Sequence, residues 1–145
     1  MRLLLDTSYL MPLIRVEVKG IDPLALTKAM EDHEIIVSQI QLFELYAKGV
    51  KYAERRAITK DDVVNGVEAA NHDLKTIPFA TRRIMETAME ANLVTGDIID
   101  AMILATALHH ADAISTIDPK ITEAYAISQQ LKQLNPNLKI YPLGR

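Results

Sequence analysis

Four carboxylates in this 145-residue chain, Asp6, Glu44, Asp100 and Asp118, fall where chemistry is most easily done. Asp6 closes the apolar run Leu3-Leu4-Leu5, and Asp118 closes Ala113–Ile117. Each run reads as a short buried strand, so each acid marks a strand's carboxyl end. Glu44 lies six residues after Ser38, two turns into a helix. Asp97 and Asp100 fall in the first turn of an apolar helix, three apart and on one face. Several have a local explanation when taken singly. Asp118 before Pro119 suits an N-cap, Asp97 suits a helix start, and Glu44 suits a solvated face. Asp6 is harder to explain as a cap, because Thr7 and Ser8 stand ready to serve the next helix. Asp100 borders the buried run Ala101–Leu108, where an unpaired carboxylate is costly. Gathered at one sheet edge, the four would repel unless protons or a cation neutralise them. An all-oxygen donor set without Cys or His selects Mg²⁺ or Mn²⁺, one or two ions, over zinc. Such an ion lowers the pKa of a bound water and stabilises charge on phosphorus, so the chemistry implied is phosphoester hydrolysis.

The elements that must position these acids alternate along the chain. Arg2–Leu5 is a strand, and Thr7-Ser8 caps a short helix to Leu13 or Ile14. Asp22-Pro23 is a cap with proline at the first helical position, opening a helix to about Asp32. Glu34–Val37 is a second strand. Ser38 and Gln41 form the S-x-x-Q capping box of a helix reaching about Arg56, with Ile40, Phe43, Ala47 and Val50 at helical spacing. Thr59 caps Lys60–His72, and Thr76–Phe79 is a third strand, which Pro78 confines to an edge. Thr81 caps a helix to Asn92, Gly96 is a turn residue, and Asp97–Ala111 is a strongly apolar helix. Ala113–Ile117 is a strand, Asp118-Pro119 opens a helix to Leu134, and Lys139–Pro142 is a last strand. Short apolar strands separated by helices indicate an α/β fold with a mainly parallel sheet covered on both faces. Ligands bind such sheets at the carboxyl ends of the strands, where the acids fall. No linker-like or repeated segment divides the chain, so residues 1–145 read as one domain.

Composition narrows the function further. The chain has no cysteine, which excludes disulfides, thiolate metal sites and thiol nucleophiles and fits a cytoplasmic setting. No apolar stretch approaches the ~20 residues of a membrane helix, and Asp6 interrupts any signal-like run, so no membrane association is expected. G-x-x-x-x-G-K and G-x-G-x-x-G are both absent, which disfavours nucleotide switches and Rossmann enzymes. The net charge of −3 excludes a broadly basic binding surface. Setting the four acids aside leaves a remainder of about +1, compatible with a polyanionic substrate.

The sequence resembles the PIN-domain family, especially VapC-type toxins, in four ordered stretches spanning residues 3 to 118. Leu4-Leu5-Asp6-Thr7-Ser8 is similar to the family's first strand and first acid. Val37–Glu44 resembles its Ser-capped helix with the second acid. Asp100-Ala101-Met102-Ile103-Leu104-Ala105-Thr106-Ala107 resembles the third-acid helix, and Ser115-Thr116-Ile117-Asp118 the strand ending in Thr-x-Asp. The resemblance implies a three-layer α/β/α fold around a parallel five-stranded sheet. It implies metal ligands at Asp6, Glu44, Asp100 and Asp118. It assigns supporting or substrate roles to Thr7 and Thr116, with Ser38 and Asp97 as further candidates. It further implies a Mg²⁺- or Mn²⁺-dependent endoribonuclease, a homodimer, and a protein antitoxin partner. The same fold would also serve ribosomal RNA maturation, or a non-catalytic RNA-binding module. A phosphoacceptor receiver domain fits less well, since Asp6 is followed by Thr7 where receivers carry an acidic pair.

Other residues are candidates for binding. Lys48, Lys51 and Arg55 form a basic cluster after Glu44 that could track RNA phosphates, although Lys48 is also placed to pair with Glu44. Arg82-Arg83 is a second small basic patch. Tyr46 and Tyr52 lie near the basic helix, with Tyr46 expected in the core. Met11, Leu13, Tyr46 and Val50 are candidates for a dimer or partner face, with core packing the simpler use. His109-His110 ends the apolar helix, where a protonated His would complement the dipole.

Overall fold

The computed structural model describes residues 1–143. Its strands are β1 (Arg2–Leu5), β2 (Glu34–Ser38), β3 (Lys75–Ile77), β4 (Ala113–Ser115) and β5 (Lys139–Tyr141). They form one sheet in the order β3-β2-β1-β4-β5, and every pairing is parallel. β3 is an edge strand, as expected, but it ends at Ile77, one residue before Pro78, rather than spanning Thr76–Phe79. The helices are α1 (Ala25–Asp32), α2 (Gln39–Glu54), α3 (Lys60–Asp73), α4 (Arg82–Thr95), α5 (Ile98–His110), α6 (Pro119–Ile127) and α7 (Gln129–Leu134).

Strand residues alternate between two cores because successive side chains leave opposite faces of a sheet. Leu3, Leu5, Ile35 and Val37 pack with α1 and α2, whereas Leu4, Ile36 and Ile114 pack with α4, α5 and α6. This is the three-layer α/β/α arrangement. The α5 segment Ile103–Leu108 is buried on all sides, which explains its unbroken apolar run. No helix among the described residues is long and apolar enough to cross a membrane.

Several element boundaries differ from the sequence reading. The segment after β1 is two 3₁₀ turns, Thr7–Tyr9 and Met11–Ile14, and Asp6 rather than Thr7 or Ser8 caps the first. α1 starts two residues late, because Asp22 accepts from Leu24 N–H in a turn before it. β4 stops at Ser115, leaving Asp118 three residues past the strand. The last long helix is broken at Ser128, whose hydroxyl caps α7. α4 continues to Thr95 and ends on Gly96 at φ +65°, a left-handed position that glycine adopts without strain.

The face of α2 is also rotated from expectation. Its buried residues are Gln41, Leu45 and Gly49, not the Ile40–Val50 stripe. Phe43 is 63% exposed, and Tyr46, expected in the core, is 47% exposed. Met11 is buried and so cannot serve a partner face.

Candidate active site

β1 delivers Asp6 to the crevice between β1 and β4, where the strand order reverses direction from β1. That switch point is where parallel sheets open for ligands. The Asp6 N–H donates to the Ser115 carbonyl at 2.9 Å, extending the β1–β4 ladder by one bond. Its Oδ1 accepts from Thr7 N–H at 2.7 Å, and its Oδ2 accepts from the Thr116 hydroxyl at 2.8 Å. Thr116 Oγ1 in turn accepts from Asp118 N–H at 2.9 Å. One buried hydroxyl therefore braces both strand-end acids. Asp118 Oδ1 also caps α6 through Lys120 N–H.

Asp100 is brought to the same edge by α5. Asp97 caps that helix, accepting from Ile99 N–H at 2.9 Å and Asp100 N–H at 3.1 Å. One oxygen of Asp97 is thus committed to the helix start. Glu44 is half-buried on α2, close enough to Asp6 to act on its carboxyl electrostatically.

Asp6 and Asp100 are displaced toward their protonated forms. Burial raises the Asp6 pKa above the usual carboxylate range, Glu44 and Asp118 add to the effect, and the Thr116 and Thr7 hydrogen bonds oppose it. Asp100 is pushed up to about 7, first by desolvation and then by Asp118, Asp97 and Asp6. These couplings draw Asp6, Glu44, Asp97, Asp100 and Asp118 into one electrostatic cluster. Among the described residues, no three acidic or histidine side chains are drawn tightly enough to form a finished cation cage. Uncompensated carboxylates spread apart, and a hard divalent cation is the species that lets them approach. The donor set, all carboxylate oxygen, fits such an ion.

The remaining predicted residues differ in their surroundings. Ser38 is spent on capping α2, accepting from Ile40 N–H at 3.3 Å. Thr7 Oγ1 is buried and accepts from Gln41 at 3.4 Å. Lys48, Lys51 and Arg55 are exposed, follow Glu44 at four-, three- and four-residue steps, and make no ion pair among the described residues. The Glu44–Lys48 pair that the spacing allows does not form. His109 sits between Thr87, at 2.7 Å, and Arg83, at 3.1 Å. Burial and Arg83 lower its pKa, as they lower that of His110. Two surface cavities lie elsewhere, about 480 Å³ beside α4 and α7 and about 360 Å³ between α2 and α3.

Gln41 is the residue whose place here was not legible. The capping box identified its bond to Ser38 N–H, formed at 2.8 Å. Its second contact, from Nε2 to the Leu5 carbonyl at 2.7 Å, spans 36 residues and has no local signal.

Comparison with known proteins agrees with this fold. The family model of the PIN domain matches residues 3–127. No curated protein matches the sequence. Among solved structures, the chain is similar to a crystal structure of VapBC2 from Rickettsia felis bound to a DNA fragment from their promoter. The similarity has a TM-score of 0.64 at 21% identity and covers 99% of this chain and 100% of the other. At that identity the likeness speaks to fold, and the fold is the one built above. With a five-stranded parallel sheet and the family model covering most of its length, the chain belongs to the PIN domain family.

Proposed function

We propose that this protein is a Mg²⁺- or Mn²⁺-dependent endoribonuclease, the toxin of a toxin–antitoxin pair. PIN domains are generally divalent-metal-dependent nucleases, which sets the reaction class. The observation that carries the reading is the carboxylate cluster centred on Asp6 at the β1–β4 crevice, with Asp100 held near pKa 7 by burial and by its acidic neighbours. Asp6, Glu44, Asp100 and Asp118 would hold the ion or ions. When bound, the metal activates water and offsets the charge that develops on the phosphate.

The chain's own contribution is orientation. The Thr116 hydroxyl points one oxygen of Asp6 and anchors the backbone of Asp118, so the two keep a constant relation. Asp97 fixes the first turn of α5 and with it the backbone of Asp100. Lys48, Lys51 and Arg55 offer unpaired cations along α2, leading away from Glu44 toward a phosphate backbone. The VapBC2 neighbour is a toxin–antitoxin complex on promoter DNA, which supports a protein antitoxin as this chain's partner. A homodimer is part of the same reading.

The test is cleavage of a mixed RNA substrate in Mg²⁺ or Mn²⁺, with EDTA as control. We expect EDTA-sensitive endonucleolytic cuts that disappear in Asp6→Asn and Asp100→Asn proteins of native fold. Full activity in either variant would refute the ligand assignment.

A further inference from the structure

We infer that Gln41 is a positioning residue whose carboxamide, spliced between the ends of β1 and β2, sets the separation of Asp6 from Glu44. This rests on the metal-site reading above and adds to it a residue outside the acid set.

The argument begins with the ladder. β1 and β2 pair in register from Arg2↔Glu34 to Leu4↔Ile36 and then stop, whereas β1 and β4 continue to Leu5↔Ser115. The next bond of a parallel ladder between β1 and β2 would run from Ser38 N–H to the Leu5 carbonyl. Instead Ser38 N–H donates to Gln41 Oε1 at 2.8 Å, and Gln41 Nε2 donates to the Leu5 carbonyl at 2.7 Å. A side-chain amide has replaced one direct backbone bond. The amide bridges the two strand ends, and neither the Ser38 N–H nor the Leu5 carbonyl is left unpaired.

The place of this bridge gives it consequence. Leu5 immediately precedes Asp6, and Gln41 precedes Glu44 by three residues, about one turn or ~4.5 Å along the helix. Asp6 is otherwise tied toward β4, through Ser115 and Thr116. Gln41 is the contact that ties α2 back to it. The remaining Nε2 hydrogen reaches Thr7 Oγ1 at 3.4 Å, so the amide grips both neighbours of Asp6. Gln41 is fully buried, and its rotamer is held by all three partners. Helix capping alone needs only the Oε1 contact. The Nε2 contacts are surplus to a cap and are directed at the residues flanking an acid of the site. Groups that orient metal-binding carboxylates typically change metal affinity or activity 10–100-fold when removed.

The experiment compares full-length wild type, Gln41→Met and Thr59→Ala. Thr59 caps α3 and carries no part of the site, so its loss matches a lost cap without touching the amide. Mn²⁺ affinity is read by electron paramagnetic resonance of free Mn²⁺, and kcat and KM by RNA cleavage well below each melting temperature. We expect Gln41→Met to weaken Mn²⁺ binding about tenfold and lower kcat about tenfold at unchanged KM, with Thr59→Ala like wild type. Wild-type Mn²⁺ affinity and kcat in folded Gln41→Met would overturn the inference. Should that variant not fold, Gln41→Glu keeps the acceptor for Ser38 and loses both donors. A lowered kcat there supports the proposal, and a wild-type kcat overturns it. Wild-type protein that binds Mn²⁺ but cuts no RNA defeats the nuclease reading alone, and Mn²⁺ affinity then decides for Gln41. Wild-type protein that binds no Mn²⁺ defeats both.

Discussion

Replacing Asp100 by Asn should stabilise the metal-free protein, a direction opposite to the usual effect of substitution near a core. The Asp100 carboxyl is pushed from its usual 3.8 to about 7 by burial and by Asp118, Asp97 and Asp6. The folded state therefore holds more protons than the unfolded chain between about pH 4 and 7. Stability is largest on the acid side of that window and is lost as pH rises through it. At 1.36 kcal/mol per unit the full displacement would be ~4 kcal/mol. Asp100 is partly open to water, so screening reduces this to about 1–2 kcal/mol. Asn also gives up a favourable charge in the first turn of α5, worth about 0.5 kcal/mol. The net gain is about 1 kcal/mol at pH 8, or roughly 2–4 °C in melting temperature for a chain of this size. The assay is thermal unfolding followed by circular dichroism in EDTA at pH 5 and pH 8, repeated with Mn²⁺. Wild type should lose stability from pH 5 to 8 more steeply than Asp100→Asn, and Mn²⁺ should raise the wild-type melting temperature more. An Asp100→Asn protein that melts at or below wild type at pH 8 in EDTA would refute the electrostatic account.

Thr116→Val removes the hydroxyl that braces Asp6 and Asp118. Leaving the buried Asp6 oxygen without its donor should cost about 1–3 kcal/mol in a melt, and cleavage should fall 10–100-fold. Changing Lys48, Lys51 and Arg55 together to Ala should raise KM for RNA, leave kcat nearly unchanged and flatten the salt dependence of binding. An unchanged salt slope would take α2 out of the RNA path. Gly66→Ala tests α3 packing, because a Cβ there meets the Leu13 carbonyl and Ile14 Cγ2 at 2.6 Å. Overpacking should outweigh the helix propensity of Ala, lowering stability by about 1–2 kcal/mol, and a rise in melting temperature would contradict the contact.

The PIN-family assignment and the α/β alternation were legible because their signals are local. Leu3-Leu4-Leu5 before Asp6, the Ser38–Gln41 box and the buried run of α5 each lie within one element, and one-dimensional spacing captures them. Errors came where a neighbour decided. Phe43 and Tyr46 lie on the exposed side of α2 because Leu45 and Gly49 take the inner face, and Gly49 allows Val63 and Ile14 close approach. Asp6 displaced Thr7 as the cap because Thr7 is drawn inward toward Gln41.

The sequence by itself determined which residues are acidic, which segments are strands, and that every candidate ligand is oxygen. These follow from residue type and period alone. The tertiary structure decided that Asp6, Asp100 and Asp118 press on one another, that Thr116 braces Asp6 and Asp118, and that a buried amide bridges the ends of β1 and β2 beside Asp6. Those facts depend on through-space distance between residues up to 112 positions apart in the chain. Charge repulsion and hydrogen bonding act across that distance, and spacing along the chain carries no record of it.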